Sequence, residues 1–337
     1  MKKLAAFDAL IKFINSIVAL CLLASILVKY ISPSKYTITV FLSLSTPVFI
    51  LLNVAFVLYW VVQFKRPFLI STFALLLSFS AVQQVYGFQP QKIMLNSDLK
   101  IMSYNVRMFN VFEWIKEDNI EKNILGLIKK TAPDILCLQE YYPNKKLGNR
   151  YPYSYKKTSI KKTTSGQAIF SKYRIIKSGS LNFKESSNNA IYADIVREKD
   201  TIRVYNVHLE SLRINPKKEN FGQKNAEKLR LRMEASFKKQ SEQVTQLLKH
   251  EKNCPYQIII CGDFNNNAFS WAYHQLKEGK KDAFTEAGTG FGKTYDYAFP
   301  LRIDFILSDE NIKVNHFKTY QEKLSDHFPI MARLQLN

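Results

Sequence analysis

Hydrophobic and polar positions follow two different regimes along the chain. Up to about residue 91, three long apolar stretches succeed one another with little charge. Residues 13–28 are broken by Asn15, Ser16 and Ser25. Residues 40–62 contain Pro47 and Asn53, and residues 68–85 follow the basic turn Lys65-Arg66-Pro67. Each approaches the roughly 20 residues that a bilayer-spanning helix needs. A cleaved signal peptide would account for the first stretch, which Lys2 and Lys3 precede, but not for the next two. The pattern predicts three transmembrane helices, near residues 9–30, 40–62 and 67–87, with Ser78, Ser80, Gln83 and Gln84 diluting the end of the third. Basic residues gather on the cytoplasmic side of membrane proteins. Placing Lys2, Lys3, Lys65 and Arg66 there predicts a multi-pass cell-membrane protein whose following domain is extracytoplasmic. Residues 1–91 form this membrane region, and a short linker around Gly87, Pro90 and Ser97 leads into a second domain, residues 92–337.

In that second part the periodicity changes. Strands are predicted at 99–104, 135–138, 166–171, 188–195, 201–207, 258–262, 302–308 and 330–336. Helical spacing appears at 119–131, where Ile120, Ile124, Leu127 and Ile128 share a face, and at 224–249, through Leu229, Met233, Phe237, Val244 and Leu247. Continuous apolar strands interleaved with helices argue for an α/β fold with sheets buried between helical layers.

Polar residues recur where these strands end: Asn105, Glu140, His208, Asp263, Asn265 and His327. Rigid strands that converge at one edge can hold such groups as a metal-centred site. Asp263 and Asn265 are two apart, so in extended chain they share a face. There they could hold a hard cation or orient a water, or simply form an Asp/Asn-rich turn. Asp304 lies within an apolar strand, where an unpaired carboxylate is costly, so it calls for a partner such as His327. Asn266 and Asn267 read as turn residues, and His274 and His316 as structural or surface residues.

Charge adds one constraint. The chain carries a formal net charge of +20, most of it in the second domain. Such a domain suits an anionic partner (nucleic acid, phospholipid headgroups or a phosphorylated metabolite) or keeps a lysine-rich surface for solubility. Lys156, Lys157, Lys161, Lys162 and the basic segment 213–239 could follow a DNA backbone or rest on anionic lipid. Tyr141, Tyr142, Tyr151, Tyr153 and Tyr155 could stack on bases or pack a loop. Cys21, Cys137, Cys254 and Cys261 show no CxxC spacing, which leaves zinc and redox motifs unsupported.

The order of the short motifs resembles the endonuclease/exonuclease/phosphatase superfamily. The residues that carry it are Ser103-Tyr104-Asn105, Leu138-Gln139-Glu140, Ser165-Gly166-Gln167-Ala168-Ile169, Asn206-Val207-His208, Gly262-Asp263-Phe264-Asn265, Arg302-Ile303-Asp304 and Ser325-Asp326-His327. The resemblance spans residues 99–337 and leaves the membrane region uncovered. It implies a four-layer α/β sandwich of the DNase I type that hydrolyses phosphoesters with a divalent metal, Mg²⁺ or possibly Mn²⁺. Carried over residue by residue, it makes Glu140 the direct metal ligand with Asn105 beside it and Asp326 near the metal through water. Asp263 would activate the attacking water and Asn265 would support the phosphoryl oxygens. His327, oriented by Asp304, would contact the scissile phosphate, and His208 would be a second histidine. The implied substrate is a phospholipid headgroup, a nucleic acid or a phosphorylated small molecule, with the lipid bilayer as a further partner. The alternative is a nuclease, or an inactive membrane-anchored binding module of the same fold.

Overall fold

Long apolar helices open the chain: α1 (Lys2–Leu27) and α2 (Ile38–Val62) pack side by side. Two asparagines inside them hydrogen-bond across the bundle, whereas Ser16, Ser25 and Ser43 donate to carbonyls of their own helix. Asn15 Nδ2 donates to the Pro67 carbonyl, Ser71 Oγ donates to Asn15 Oδ1, and Asn53 Nδ2 donates to the carbonyls of Phe49 and Val18. At one end of the bundle Lys65 pairs with Asp8 at 2.5 Å. This computed structural model describes residues 2–36, 38–90, 92–158, 165–212, 223–297 and 300–336.

Two helices, Ala6–Tyr30 and Thr39–Val62, are long and apolar enough to cross a membrane. The third stretch, expected as one span near 67–87, is a pair of helices, α3 (Phe68–Leu77) and α4 (Phe79–Val85), bent by 78°; together they are apolar enough to make a third crossing as one broken span. Ser78 leaves helical geometry at φ −99°, ψ 17°, and its carbonyl accepts from Ala81 and Val82 to start a new turn. Ten residues of α3 rise only about 15 Å, roughly half the hydrocarbon thickness. The glutamines that dilute this stretch serve docking: Gln84 Oε1 accepts from Tyr273 Oη at 3.1 Å and from Arg302 Nη2. The expected linker is likewise structured. β1 (Tyr86–Phe88) pairs antiparallel with a later strand, Thr289–Phe291.

After β1 come β2 (Leu99–Asn105), α5 (Ile120–Thr131), β3 (Ile135–Tyr141), the single turn α6 (Lys145–Gly148), β4 (Tyr153–Thr158), β5 (Gly166–Ser171), β6 (Ile175–Ser180), β7 (Asn189–Arg197) and β8 (Asp200–His208). The chain continues through α7 (Gln223–Glu251), β9 (Gln257–Asp263), α8 (Trp271–Lys277), β10 (Lys280–Asp282), α9 (Ala283–Ala287), β11 (Thr289–Phe291), β12 (Asp304–Asp309), β13 (Lys313–Thr319) and β14 (Ile330–Gln335). One six-stranded sheet has the order β10-β12-β9-β8-β7-β6, the other β13-β14-β2-β3-β5-β4.

Alternation along the strands builds the layers. Ile101, Ile135, Cys137 and Ile169 face Ile191, Val204, Ile259 and Cys261 between the sheets. Their neighbours Met102, Leu136 and Leu138 point outward onto Ile120, Ile124 and Ile128 of α5. On the other side Tyr205, Val207 and Ile260 meet Val244 and Leu247 of α7. Helix, sheet, sheet and helix follow in that order, the four-layer α/β sandwich expected. Strands β4, β6 and β13 went unpredicted because they are polar edge strands, a common guard against edge-to-edge pairing.

Near one end of the sandwich a buried polar knot joins the sheets. Asn206 Nδ2 donates to the carbonyls of Leu138 and Ala168, and Gln139 Nε2 donates to Asn206 Oδ1 at 2.7 Å. Gln167 Nε2 closes it on the Asn206 carbonyl.

Candidate active site

The strand ends beyond that knot carry the candidate residues. β2 and β3 are parallel, as are β8 and β9, so their last residues fall at one edge. His208 is paired in register with Asp263, and antiparallel β12 brings Asp304 opposite Asp263 from the other side. Gly262, just before Asp263, has φ +144°, and a Cβ there would lie 1.9 Å from the Val207 carbonyl oxygen. Glycine thus lets β8 and β9 close up where the carboxylate must be placed. Glu140 and Asn265 hold left-handed backbone, with φ 46° and 48°, the kind of strain that clusters at functional sites.

All eight residues converge. Asp263 is 1 % exposed. Its Oδ2 accepts from Asn105 Nδ2 at 3.1 Å and lies 3.5 Å from His208 Nε2 and 3.6 Å from His327 Nε2. Its Oδ1 accepts from the Asn265 amide at 2.8 Å. His327 Nδ1 is 3.0 Å from Asp304 Oδ2, the partner expected for that buried carboxylate. Asn105 Nδ2 also reaches Glu140 Oε1 at 3.3 Å, and Asn265 Nδ2 donates to the Leu209 carbonyl.

The two histidines are held in opposite states. Burial disfavours charge on His327, but Asp304 and Asp263 outweigh it and hold the ring well above the ordinary histidine value. On His208 burial prevails over the attraction of Asp263 and lowers the value. Burial also raises the Glu140 carboxyl, and the Asp326 carboxylate raises it further.

Glu140 and Asp326 are two mutually repelling carboxylates, oxygen donors of the kind a hard cation takes, and added positive charge there would relieve the repulsion. The Asn105 side chain turns its Nδ2 toward Glu140, while its Oδ1 accepts from the Arg107 backbone N–H. Asp263, Asp304 and His327 also place ligand atoms within 4.8 Å of one another. The His327 ring already bridges those two carboxylates, leaving a cation less to neutralise.

Several neighbours carry no signal in the sequence. Arg107 pairs with Asp326 at 3.1 Å, and Tyr295 meets the His327 ring edge-on at 5.0 Å. Asn266 and Asn267, read as turn residues, are instead buried ties: Asn266 Nδ2 donates to Gln240 Oε1, and Asn267 Nδ2 to the Ser43 carbonyl of α2 at 3.2 Å. Tyr141 and Tyr151 pack against Phe170 in the core. Lys161, Lys162 and residues 213–222 lie outside the described residues. The site opens into a cavity of about 860 Å³ lined by Glu140, His208, Asp263, Asn265, Asp326 and His327 among others.

Residues 102–327 match the model of the Endonuclease/Exonuclease/phosphatase family. The chain belongs to that family. Solved structures of the same fold include an endonuclease/exonuclease/phosphatase from Bacteroides vulgatus, at 20% identity and TM-score 0.55, covering 72% of this chain and 100% of that one. D. rerio TDP2 complexed with a single strand DNA product is 18% identical, at TM-score 0.54, covering 72% of this chain and 100% of the other. A mannosyl-6-phosphatase of Bacteroides thetaiotaomicron is 16% identical, at TM-score 0.52, covering 71% and 100%. Residues 8–85 of this endonuclease/exonuclease/phosphatase family member match a domain of unknown function (DUF8431). No curated protein matches the chain.

Proposed function

We propose that the chain is a membrane-embedded, divalent-metal-dependent hydrolase of phosphoester bonds, with residues 1–91 as its membrane part and 92–337 as its catalytic part. The observation that carries this is the convergence of the buried Asp263 carboxylate, His327 paired with Asp304, His208 and the Glu140 and Asp326 carboxylates on one cavity. Glu140 and Asp326, with Asn105 beside them, would hold Mg²⁺ or Mn²⁺. A bound divalent cation supplies positive charge to a phosphoryl oxygen.

The chain's own residues supply the rest. Asp263, fixed by Asn105 and the Asn265 amide, accepts the proton of a water aligned for in-line attack. As the new O–P bond forms, the ester P–O bond breaks and the released oxygen takes a proton from solvent. His327, kept charged by Asp304, neutralises the developing charge. The second Nδ2 proton of Asn265 and the neutral ring of His208 contact the same phosphoryl group. Full-length protein in detergent or nanodiscs is expected to release nitrophenolate from bis-p-nitrophenyl phosphate when Mg²⁺ or Mn²⁺ is present and not after EDTA. No release with either metal would sink the proposal.

The packing supports a side for each part. Tyr30 after α1 touches His274 of the catalytic part, whereas the Lys65–Asp8 pair marks the opposite end. Lys2, Lys3, Lys65 and Arg66 then lie away from the catalytic part, which the excess of basic residues on the cytoplasmic side makes extracytoplasmic. A reporter fused after Asn337 should work only when it matures outside the cytoplasm; a fusion active only inside would reverse the assignment.

A further inference from the structure

The cavity that holds the site has a wall from the membrane helices. Leu44 of α2 lines it, together with Leu212, Phe183 and Leu301, alongside the acidic and imidazole groups of the site. Leu44 is five residues beyond Thr39, where the candidate span begins, so it sits about 7 Å along that helix. Its placement is fixed from both sides. Val40, Phe41 and Leu44 pack with Leu212, Leu229, Met233 and Phe237 of the catalytic part, and Asn267 binds the carbonyl of Ser43. Phe269, four residues after Asn265, joins Ala19, Leu22, Ile50, Ala74 and Ala81 inside the helical bundle.

An independent feature marks the level of the membrane surface. Tyr30 and Tyr36 between α1 and α2, Tyr86 and Phe88 of β1, and Phe291 of the β11 strand paired with it are exposed where the helices meet the catalytic part. Tyr86 packs on Phe88 and Phe291 at ring separations of 4.9 and 5.0 Å. Aromatic rings gather in this way where protein crosses from hydrocarbon to water. Lys157 is the one lysine or arginine that lines the cavity among the described residues.

We propose that the substrate is an amphiphile: a lipid phosphoester whose apolar chain lies along Leu44 and Leu212 while its phosphoryl group meets Asp263 and His327. This rests on the hydrolase assignment above. Leu44 is then a specificity-determining residue contributed by a membrane helix. A lipid that enters sideways from the bilayer keeps its chain in an apolar surrounding, and the cavity lining offers both apolar side chains and the acidic and imidazole groups for its two ends.

The test uses full-length protein in nanodiscs with Mg²⁺ and two substrates, ethyl and dodecyl p-nitrophenyl phosphodiester. Wild type is expected to favour the dodecyl ester by about tenfold or more in kcat/KM, since a few methylenes in an apolar pocket are worth that much. Partition into the nanodisc raises the ratio for every variant alike, so the comparison between variants isolates the wall. Leu44→Asp should collapse the ratio toward the partition value, Leu44→Ala should lower it partway, and Leu44→Met should keep it. An equal rate on both esters in wild type, or an unchanged ratio in both Leu44→Asp and Leu44→Ala, overturns the proposal and leaves the hydrolase assignment standing. Faster cleavage of a single-stranded oligonucleotide than of the dodecyl ester also overturns it. Failure to cleave any of the three overturns both.

Discussion

Asp263→Asn is expected to lower kcat by roughly 10³-fold, within the range that a positioned general base contributes, while leaving the protein folded. The substitution keeps the volume of a fully buried side chain, so packing against β8 and β12 is preserved. It fails chemically at two points. The neutral amide no longer draws a proton from water. It also presents an N–H group where Asp263 now accepts, either from Asn105 Nδ2 or from the Asn265 amide, and turns one of those hydrogen bonds into a clash between donors. Loss of the charge further removes one of the two carboxylates that keep His327 protonated. Steady-state rates on bis-p-nitrophenyl phosphate, with a thermal melt of the same sample, check this. A variant that melts normally and works within tenfold of wild type would show that Asp263 does not activate water.

Glu140→Gln has the second-largest expected effect, and it should separate binding from folding. Removing a carboxylate from the oxygen-donor set weakens a hard cation's hold. The Mg²⁺ concentration for half-maximal activity should therefore rise by at least about 10- to 100-fold, the range seen when even supporting groups around a metal are lost. Without metal the same change should leave the melting temperature unchanged or raise it. Glu140 is half-buried beside the like charge of Asp326, and neutralising it relieves that repulsion. Added Mg²⁺ should raise the melting point of wild type, as any ligand of the folded state does, and should do so far less for the variant. An identical Mg²⁺ shift in both proteins would remove Glu140 from the ligand set.

Much of this molecule was legible before any coordinates, because its strands are apolar on both faces and end in polar residues. Strand β5 has the bounds expected, and the eight site residues come to one edge because parallel β2 and β3 and parallel β8 and β9 end there, where antiparallel β12 begins and the turn before β14 passes. Edge strands β4, β6 and β13 were hidden, since lysine, serine and other polar residues interrupt their apolar pattern, and β4 and β6 bury no residue fully. The break at Ser78 was visible as dilution by polar residues but not as a bend, since Gln84 acquires its meaning from Tyr273 and Arg302 far along the chain. Leu44 was least legible of all. An apolar residue in an apolar span carries no mark of which side faces lipid and which faces a cavity, and tertiary packing alone decides it. Asn267 misled for the converse reason: its partner is a backbone carbonyl, which has no signature in sequence.

The tie between Asn267 and the Ser43 carbonyl has a practical side. Cutting the chain in the Pro90 region would not release a smaller copy of the same enzyme. The fragment would keep Asp263, His327 and Glu140, yet one face of its cavity would open to bulk water and Phe269 would be stripped of its cover. Inhibitors selected on such a fragment would be fitted to a mouth that the intact protein does not possess. Screens, crystals and engineering of selectivity therefore belong with the whole chain in a bilayer mimic.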